Sequence, residues 1–165
     1  MKLDSVLPES KIFIDTNIFL YDITDHPEFG VSTKNLLKNI ELGIFQGKTS
    51  IIVLNELLHK LVIGEIAEKY GLKLFQVISC IKQDPTILSN LKSYELVNKI
   101  ELIPNFEIIS VSKEIFSLAK SYMVKYNLMT NDAIIVATCN INGISNISSN
   151  DGDFDRVDFL VRWYP

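Results

Sequence analysis

The sequence predicts an α/β fold: three layers, with helices on both faces of a mostly parallel sheet of about five strands. Three observations lead there. Short, continuously apolar, β-branched runs recur along the chain, which is how strands buried on both faces read. Segments with helical apolar spacing separate these runs. Parallel neighbours need such helices as right-handed crossovers, so the alternation implies parallel pairing.

The first strand is Ile12-Phe13-Ile14, stopped abruptly by Asp15-Thr16-Asn17. Ser32 or Thr33 then opens a helical segment carrying Leu36, Leu37 and Ile40 and closing at Gly43. Ser50-Ile51-Ile52-Val53 reads as the second strand. A longer helix runs from Asn55 to Tyr70 on Leu57, Leu58, Leu61, Val62 and Ile66, with Gly71 as its stop. Residues 72–103 keep a helical pattern, broken at Asp84-Pro85, and form an all-helical excursion. Ile108 to Val111 is the third strand. Ser112 caps a helix reaching Asn127, and Thr130 or Asn131 caps another through Ile134, Ile135 and Ala137 to Gly143. Ile144 to Ile147 and Phe159 to Trp163 complete the strands. No linker, repeat or low-complexity tract interrupts the chain, so residues 1–165 are expected to form a single domain.

Composition narrows the function. With 47% apolar and 22% charged residues, the chain has the material for a core and is neither a disordered tail, a collagen-like rod nor a disulfide-stapled miniprotein. Lys and Arg number 16 against 20 Asp and Glu, and a net charge of −4 argues against holding a polyanion by bulk positive charge. Any such partner must be handled locally, by a metal or a small patch. Cys80 and Cys139 lie in apolar stretches without ligand-like neighbours, which suits buried thiols in a reducing compartment. Asp4 and Glu9 fall where a signal peptide needs an apolar run, and no later run reaches the roughly 18 residues of a membrane span. The expected setting is the cytoplasm, with no membrane partner.

In open parallel sheets ligands bind at the carboxyl ends of the strands, so acids just beyond those ends are the first candidates for chemistry. Asp15 follows the first strand, and Glu56 is expected in the first turn of the helix after the second. Asp132 lies in a first helical turn, and Asp151 and Asp153 follow the strand that ends near Ile147. Each has an ordinary explanation alone: a turn residue, or a complement to the helix dipole worth roughly 0.3–1 kcal/mol. Four separate segments delivering acids to one edge is what those explanations do not predict. Two carboxylates about 4 Å apart repel by roughly 4 kcal/mol at an effective dielectric near 20, so such a cluster needs a compensating cation. Of the basic residues, only Arg156 adjoins these positions in sequence. Oxygen ligands select Mg²⁺ or Mn²⁺ over zinc, and such a metal suits phosphodiester hydrolysis.

Other chemistries fit less well. A haloacid-dehalogenase-type phosphatase also begins with a strand ending in Asp, but it wants a second Asp two residues on, where Asn17 stands. Asp151, Asp153 and Asp155 suggest a calcium loop, yet Arg156 and Arg162 occupy its glycine and carboxylate places. Walker and GxGxxG phosphate loops are absent. His26 precedes Pro27 at a helix start, and His59 reads as a partly exposed helical residue, so neither is assigned to catalysis.

Four stretches taken together carry a resemblance: Ile12-Phe13-Ile14-Asp15-Thr16-Asn17, Val53-Leu54-Asn55-Glu56-Leu57-Leu58, Leu128-Met129-Thr130-Asn131-Asp132-Ala133-Ile134-Ile135 and Ser149-Asn150-Asp151-Gly152-Asp153-Phe154. In this order, over nearly the whole chain, they resemble the PIN-domain family of ribonucleases. The resemblance implies a strand order of 3-2-1-4-5, a Mg²⁺- or Mn²⁺-dependent endoribonuclease acting on RNA, frequent homodimers and, in many prokaryotic members, a toxin neutralised by an antitoxin. It places the metal-binding acids at Asp15, Glu56, Asp132 and Asp151 and an accessory acid at Asp153. Thr16, Asn17 and Ser149 would orient those carboxylates or a water. The excursion at residues 72–103 is longer than in compact toxins. Lys34, Lys38, Lys48, Lys60 and Arg156 are the basic candidates for holding RNA. A PIN-like scaffold that binds RNA or protein without cutting is the competing reading. Phe159, Val161 and Trp163 could serve a dimer surface or the protomer's own core.

Overall fold

The computed structural model describes residues 10–165; Asp4 and Glu9 lie outside the described residues. Its strands β1 (Lys11–Ile14), β2 (Gln46–Ser50), β3 (Phe106–Ile109), β4 (Asn146–Ser148) and β5 (Val161–Trp163) are all parallel, in the order β3-β2-β1-β4-β5. This is the order the resemblance implied. The helices are α1 (Thr16–Ile23), α2 (Gly30–Glu41), α3 (Ile51–Tyr70), α4 (Leu74–Gln83), α5 (Lys92–Glu101), α6 (Lys113–Tyr126) and α7 (Thr130–Ile141).

Strand β1 lies at the centre of the sheet, which explains its apolar sequence: Ile12, Phe13 and Ile14 have no exposed surface. Each such side chain removed from water contributes roughly 1.5–3 kcal/mol of apolar stabilisation. The sheet centre is joined in one cluster by Leu57 of α3, Ile135 and Val136 of α7, Ile147 of β4 and Trp163 of β5. Trp163 therefore serves the protomer's own core, its Nε1 donating to Asn146 Oδ1 at 3.0 Å, whereas Val161 stays partly exposed. The excursion has a small core of its own, in which Ile66 and Ala67 of α3 meet Val77, Ile87 and Leu91. Its expected break occurs at Asp84, whose carboxylate accepts from the backbone N–H of Thr86 and starts a 3₁₀ turn over Pro85–Leu88.

Several boundaries differ from the sequence reading. The second strand lies earlier, at Gln46–Ser50, and Ile51-Ile52-Val53 opens α3 instead. Val53 is fully buried while Ile51 is half exposed, a helical spacing that a three-residue apolar run cannot distinguish from a strand. Gln46-Gly47-Lys48-Thr49-Ser50 carries no apolar signature because its pairing is set by neighbours. Thr49 Oγ1 donates to the Ile14 carbonyl at 2.9 Å, and a Cβ on Gly47 would fall 2.7 Å from Ile40 Cγ2 and closer still to the Phe106 ring. Strand β3 begins and ends two residues before its expected place, and β4 is shifted one residue later at its end, with ladders to β2 and β1 fixing both.

Helix α1 was not foreseen. Asp15-Thr16-Asn17 looks like a turn, but Asp15 is the N-cap of α1, with Oδ1 accepting from Thr16 N at 2.7 Å, and Ile18 and Phe19 bury its inner face. Helix α2 starts before Ser32 and Thr33, whose hydroxyls turn back to the carbonyls of Phe29 and Gly30. Thr130 is the first residue of α7 and no side chain caps that helix. The α6 limits hold as expected: Ser112 Oγ accepts from Ile115 N, and Asn127 closes the helix in the left-handed conformation at φ 53°. Among the described residues both cysteines are free; Cys139 is fully buried in α7 and Cys80 half-buried in α4.

Candidate active site

The carboxyl edge of the sheet is assembled around Asp15. Its N–H extends the β1–β4 ladder by donating to the Ser148 carbonyl at 3.1 Å, so β4 fixes where the side chain starts. The carboxylate is only 7% exposed and is held by three donors: Thr16 N on Oδ1, and Asn17 Nδ2 (2.9 Å) and Ser149 Oγ (2.6 Å) on Oδ2. Burial raises the Asp15 carboxyl to about 6 against the pull of the Ser149 and Thr16 bonds, and the charge of Glu56 adds to the rise.

Ser149 is the junction. Besides donating to Asp15, its hydroxyl accepts from Asp151 N at 2.9 Å and lies 3.3 Å from Asn17 Nδ2, while its backbone N–H reaches the Trp163 carbonyl. Asp151 in turn caps the 3₁₀ turn Gly152–Arg156 by accepting from Asp153 N. One hydroxyl thus links the end of β1 to the loop after β4.

Asp132 stands in the first turn of α7, as expected. Its carboxyl is also raised to about 6, first by burial and then by the charges of Asp151, Asp15, Glu56 and Asp153. The other four acids singled out in the sequence therefore all act on Asp132. Glu56 does not sit in the first turn of its helix, because α3 begins at Ile51; it occupies the second turn and pairs with Lys60 at 2.7 Å. Asp153 pairs with Arg156 at 2.6 Å. Among the described residues, no three of His, Cys, Asp and Glu stand in a ready-made arrangement for a metal ion. The donor set is nonetheless all oxygen, of the kind that suits a hard cation retaining several waters on one or two carboxylates. The Thr16 hydroxyl beside Asp15 is buried and without a partner among the described residues.

Of the basic candidates for a polyanion, Lys34 pairs with Asp25, Lys48 with Glu107, Lys60 with Glu56 and Arg156 with Asp153. Lys38 lines a cavity of about 450 Å³ with Asp22, Lys34, Glu41 and Lys99, which contains none of the five acids. A second groove of about 350 Å³ between Leu20, Lys60, Leu61, Glu65, Ser93 and Leu96 opens beside the Glu56 partner. His59 is exposed on α3. Asn17, at the place a phosphatase would use for its general acid, has its amide committed to Asp15, Ser149 and the backbone N–H of Asn150.

Two contributors, Asn150 and Tyr21, had no role in the sequence reading. Lys60, read there as a basic candidate for RNA, is also the i+4 partner of Glu56, a spacing that brings side chains together on a helix. Asn150 donates from its backbone to Asn17 Oδ1 and from Nδ2 to the Tyr21 hydroxyl, both at 3.1 Å. Tyr21 lies one turn beyond Asn17 on α1, so its place was hidden with the helix itself.

A family model described as PIN domain matches residues 12–160 of the chain. Ribonuclease VapC2 of Methanocaldococcus jannaschii is 33% identical over 154 residues, covering 93% of each chain. Among solved structures, Mycobacterium tuberculosis VapC20, described as a sarcin-ricin loop cleaving toxin, matches with a TM-score of 0.63 at 18% identity, over 90% of this chain and 96% of that one. A toxin-antitoxin complex from Klebsiella pneumoniae matches with a TM-score of 0.56 at 20% identity, over 91% of this chain and 95% of the other. At these identities the structural likeness speaks for the fold.

Proposed function

Because the chain belongs to the PIN-domain family, we propose that it is a Mg²⁺- or Mn²⁺-dependent endoribonuclease in which Asp15, Glu56, Asp132 and Asp151 hold the metal. The observation that carries this reading is the Ser149 hydroxyl, which ties the Asp15 carboxylate to the start of the loop carrying Asp151 at the strand ends; beside them Asp132 is raised first by burial and then by the charges of Asp151, Asp15, Glu56 and Asp153. A native state that gathers negative charge at one edge is stabilised by a cation, and the all-oxygen donors favour a hard one. The 33% identity to a protein named as a ribonuclease supports the choice of reaction.

When bound, the ion supplies Lewis-acid stabilisation of the scissile phosphate and favours ionised water at neutral pH. The chain's own residues do the rest. The Thr16 N–H, Asn17 and Ser149 hold Asp15 in one orientation and leave about one lone-pair site of its carboxylate uncommitted. Ser149 fixes the start of the loop carrying Asp151, and the Thr16 hydroxyl lies buried at the same edge without a partner among the described residues. Asp153, tied to Arg156, holds that arginine beside the loop.

In the same reading residues 1–165 work as one domain in the cytoplasm, on RNA, as the toxin of a pair with an antitoxin protein, and as a homodimer. The resemblance to a toxin-antitoxin complex supports the partner, and no described helix is long and apolar enough to cross a membrane. The test is cleavage of single-stranded RNA by the purified protein. Activity should need Mg²⁺ or Mn²⁺, vanish with chelator and vanish in Asp15→Asn. Undiminished cleavage in that variant or with chelator would refute the mechanism. No thermal shift with millimolar Mn²⁺ would favour the non-catalytic scaffold.

A further inference from the structure

Where α1 turns into α2, three rings pack on one another. His26 and Phe29 are stacked, with centroids 4.9 Å apart and planes 13° from parallel, and Tyr21 lies 4.7 Å from the first and 5.0 Å from the second. All three are half-buried, yet none belongs to either apolar core cluster. They form a separate aromatic surface.

That surface is wired to the acids. The Tyr21 hydroxyl accepts from Asn150 Nδ2, the Asn150 backbone N–H donates to Asn17 Oδ1, and Asn17 Nδ2 donates to Asp15. Beside His26 opens a cavity of about 230 Å³ lined by Asp25, Pro27, Gly30, Val31 and Lys34. His26 Nδ1 accepts from the N–H groups of Glu28 and Phe29, both at 3.3 Å, which fixes the ring's orientation and leaves Nε2 as its donor edge.

Electrostatics says how such a site must hold RNA. The chain carries a net charge of −4, and Lys34, Lys48, Lys60 and Arg156 are each paired with an acid. Phosphate attraction is correspondingly weak, whereas stacking of an unpaired base on an aromatic ring needs no positive charge. We propose that Tyr21, His26 and Phe29 are a stacking site for an unpaired nucleobase flanking the scissile phosphate; this rests on the ribonuclease reading above.

The experiment uses the full chain and single-stranded oligoribonucleotides, intact or with one abasic residue placed in turn on either side of the cleavage site. His26→Asn removes the ring but keeps an acceptor for the Glu28 and Phe29 N–H groups. Phe29→Leu keeps apolar volume. Each should raise KM about tenfold with kcat changed less than twofold and Tm changed by no more than about 2 °C. One abasic position should weaken binding to the unsubstituted protein, and weaken it little further in His26→Asn. Unchanged KM in both variants, an equal abasic penalty in both proteins, or a fall in kcat with unchanged KM would overturn the proposal. Binding is also measured on Asp15→Asn, alone and combined with His26→Asn. If the unsubstituted protein cuts no RNA the ribonuclease reading fails, and the stacking site is then judged by whether His26→Asn still lowers affinity about tenfold in that background.

Discussion

The Ser149 hydroxyl donates to Asp15 Oδ2 across 2.6 Å, although the two residues are separated by 134 positions in sequence. The same oxygen accepts from Asp151 N, so a single side chain fixes two acids that follow different strands relative to each other. This bond opposes the burial that raises Asp15.

Ser149→Ala should therefore do three things. It leaves the Asp151 N–H without its acceptor and removes a donor from a buried carboxylate, lowering stability by about 1–3 kcal/mol. Activity should fall by about 10- to 100-fold, as for other groups that orient metal-binding side chains. The acidic limb of the kcat/KM profile should move to higher pH, because the bond that lowers the Asp15 pKa is gone. A pH–rate profile beside a thermal melt checks all three.

Asp132 has a folded-state carboxyl raised to about 6 from an ordinary value of 3.8. Below about pH 4 it is protonated whether folded or not; above about 6 it is charged in both states, and the native state bears the cost of its burial first and then the repulsion of its neighbours. Its contribution thus lowers stability progressively as pH rises through that window. Asp132→Asn in chelator should raise Tm by about 2–6 °C at pH 7.5, corresponding to about 1–2 kcal/mol after allowance for solvent screening, and by little at pH 4. A gain of equal size at both pH values would contradict this.

Lys60 neutralises part of the field around Glu56 and Asp15. As a partly exposed helical pair, its bond to Glu56 contributes only about 0.3–0.5 kcal/mol to stability. Its effect on a cation is larger, since removing one positive charge near the site favours a divalent ion by about 1 kcal/mol. Lys60→Ala should bind Mn²⁺ about fivefold more tightly by titration while melting within about 2 °C of the unsubstituted protein.

Gly47 is placed for the fold and not for chemistry. In Gly47→Ala the new methyl meets Ile40 and the Phe106 ring, so overpacking should cost about 1–3 kcal/mol. Below its lowered Tm the variant should cleave RNA with an unchanged kcat. Loss of activity without loss of stability would show that β2 shapes the site directly.

The sequence by itself determined much that depends on local pattern and on residue type. Buried runs such as Ile12-Phe13-Ile14 mark the central strand because both faces of a parallel sheet exclude water. The Ser112 and Asn127 caps mark α6 because their hydrogen bonds and backbone conformation are local. Asp15, Asp132 and Asp151 could be singled out as candidates because they follow a strand or open a helix, whereas Glu56 was expected in a first helical turn and stands in the second. Other features were decided only by distant neighbours. Gln46–Ser50 is a strand because β1 and β3 supply its ladders, not because of its own apolar content. That Ser149 joins Asp15 to Asp151 and that Asn150 ties Tyr21 to Asn17 are consequences of how the strand ends lie side by side. Hydrophobic periodicity fixes which face of an element is inward; hydrogen bonds between remote side chains depend on ångström-scale placement, which only the packed chain sets.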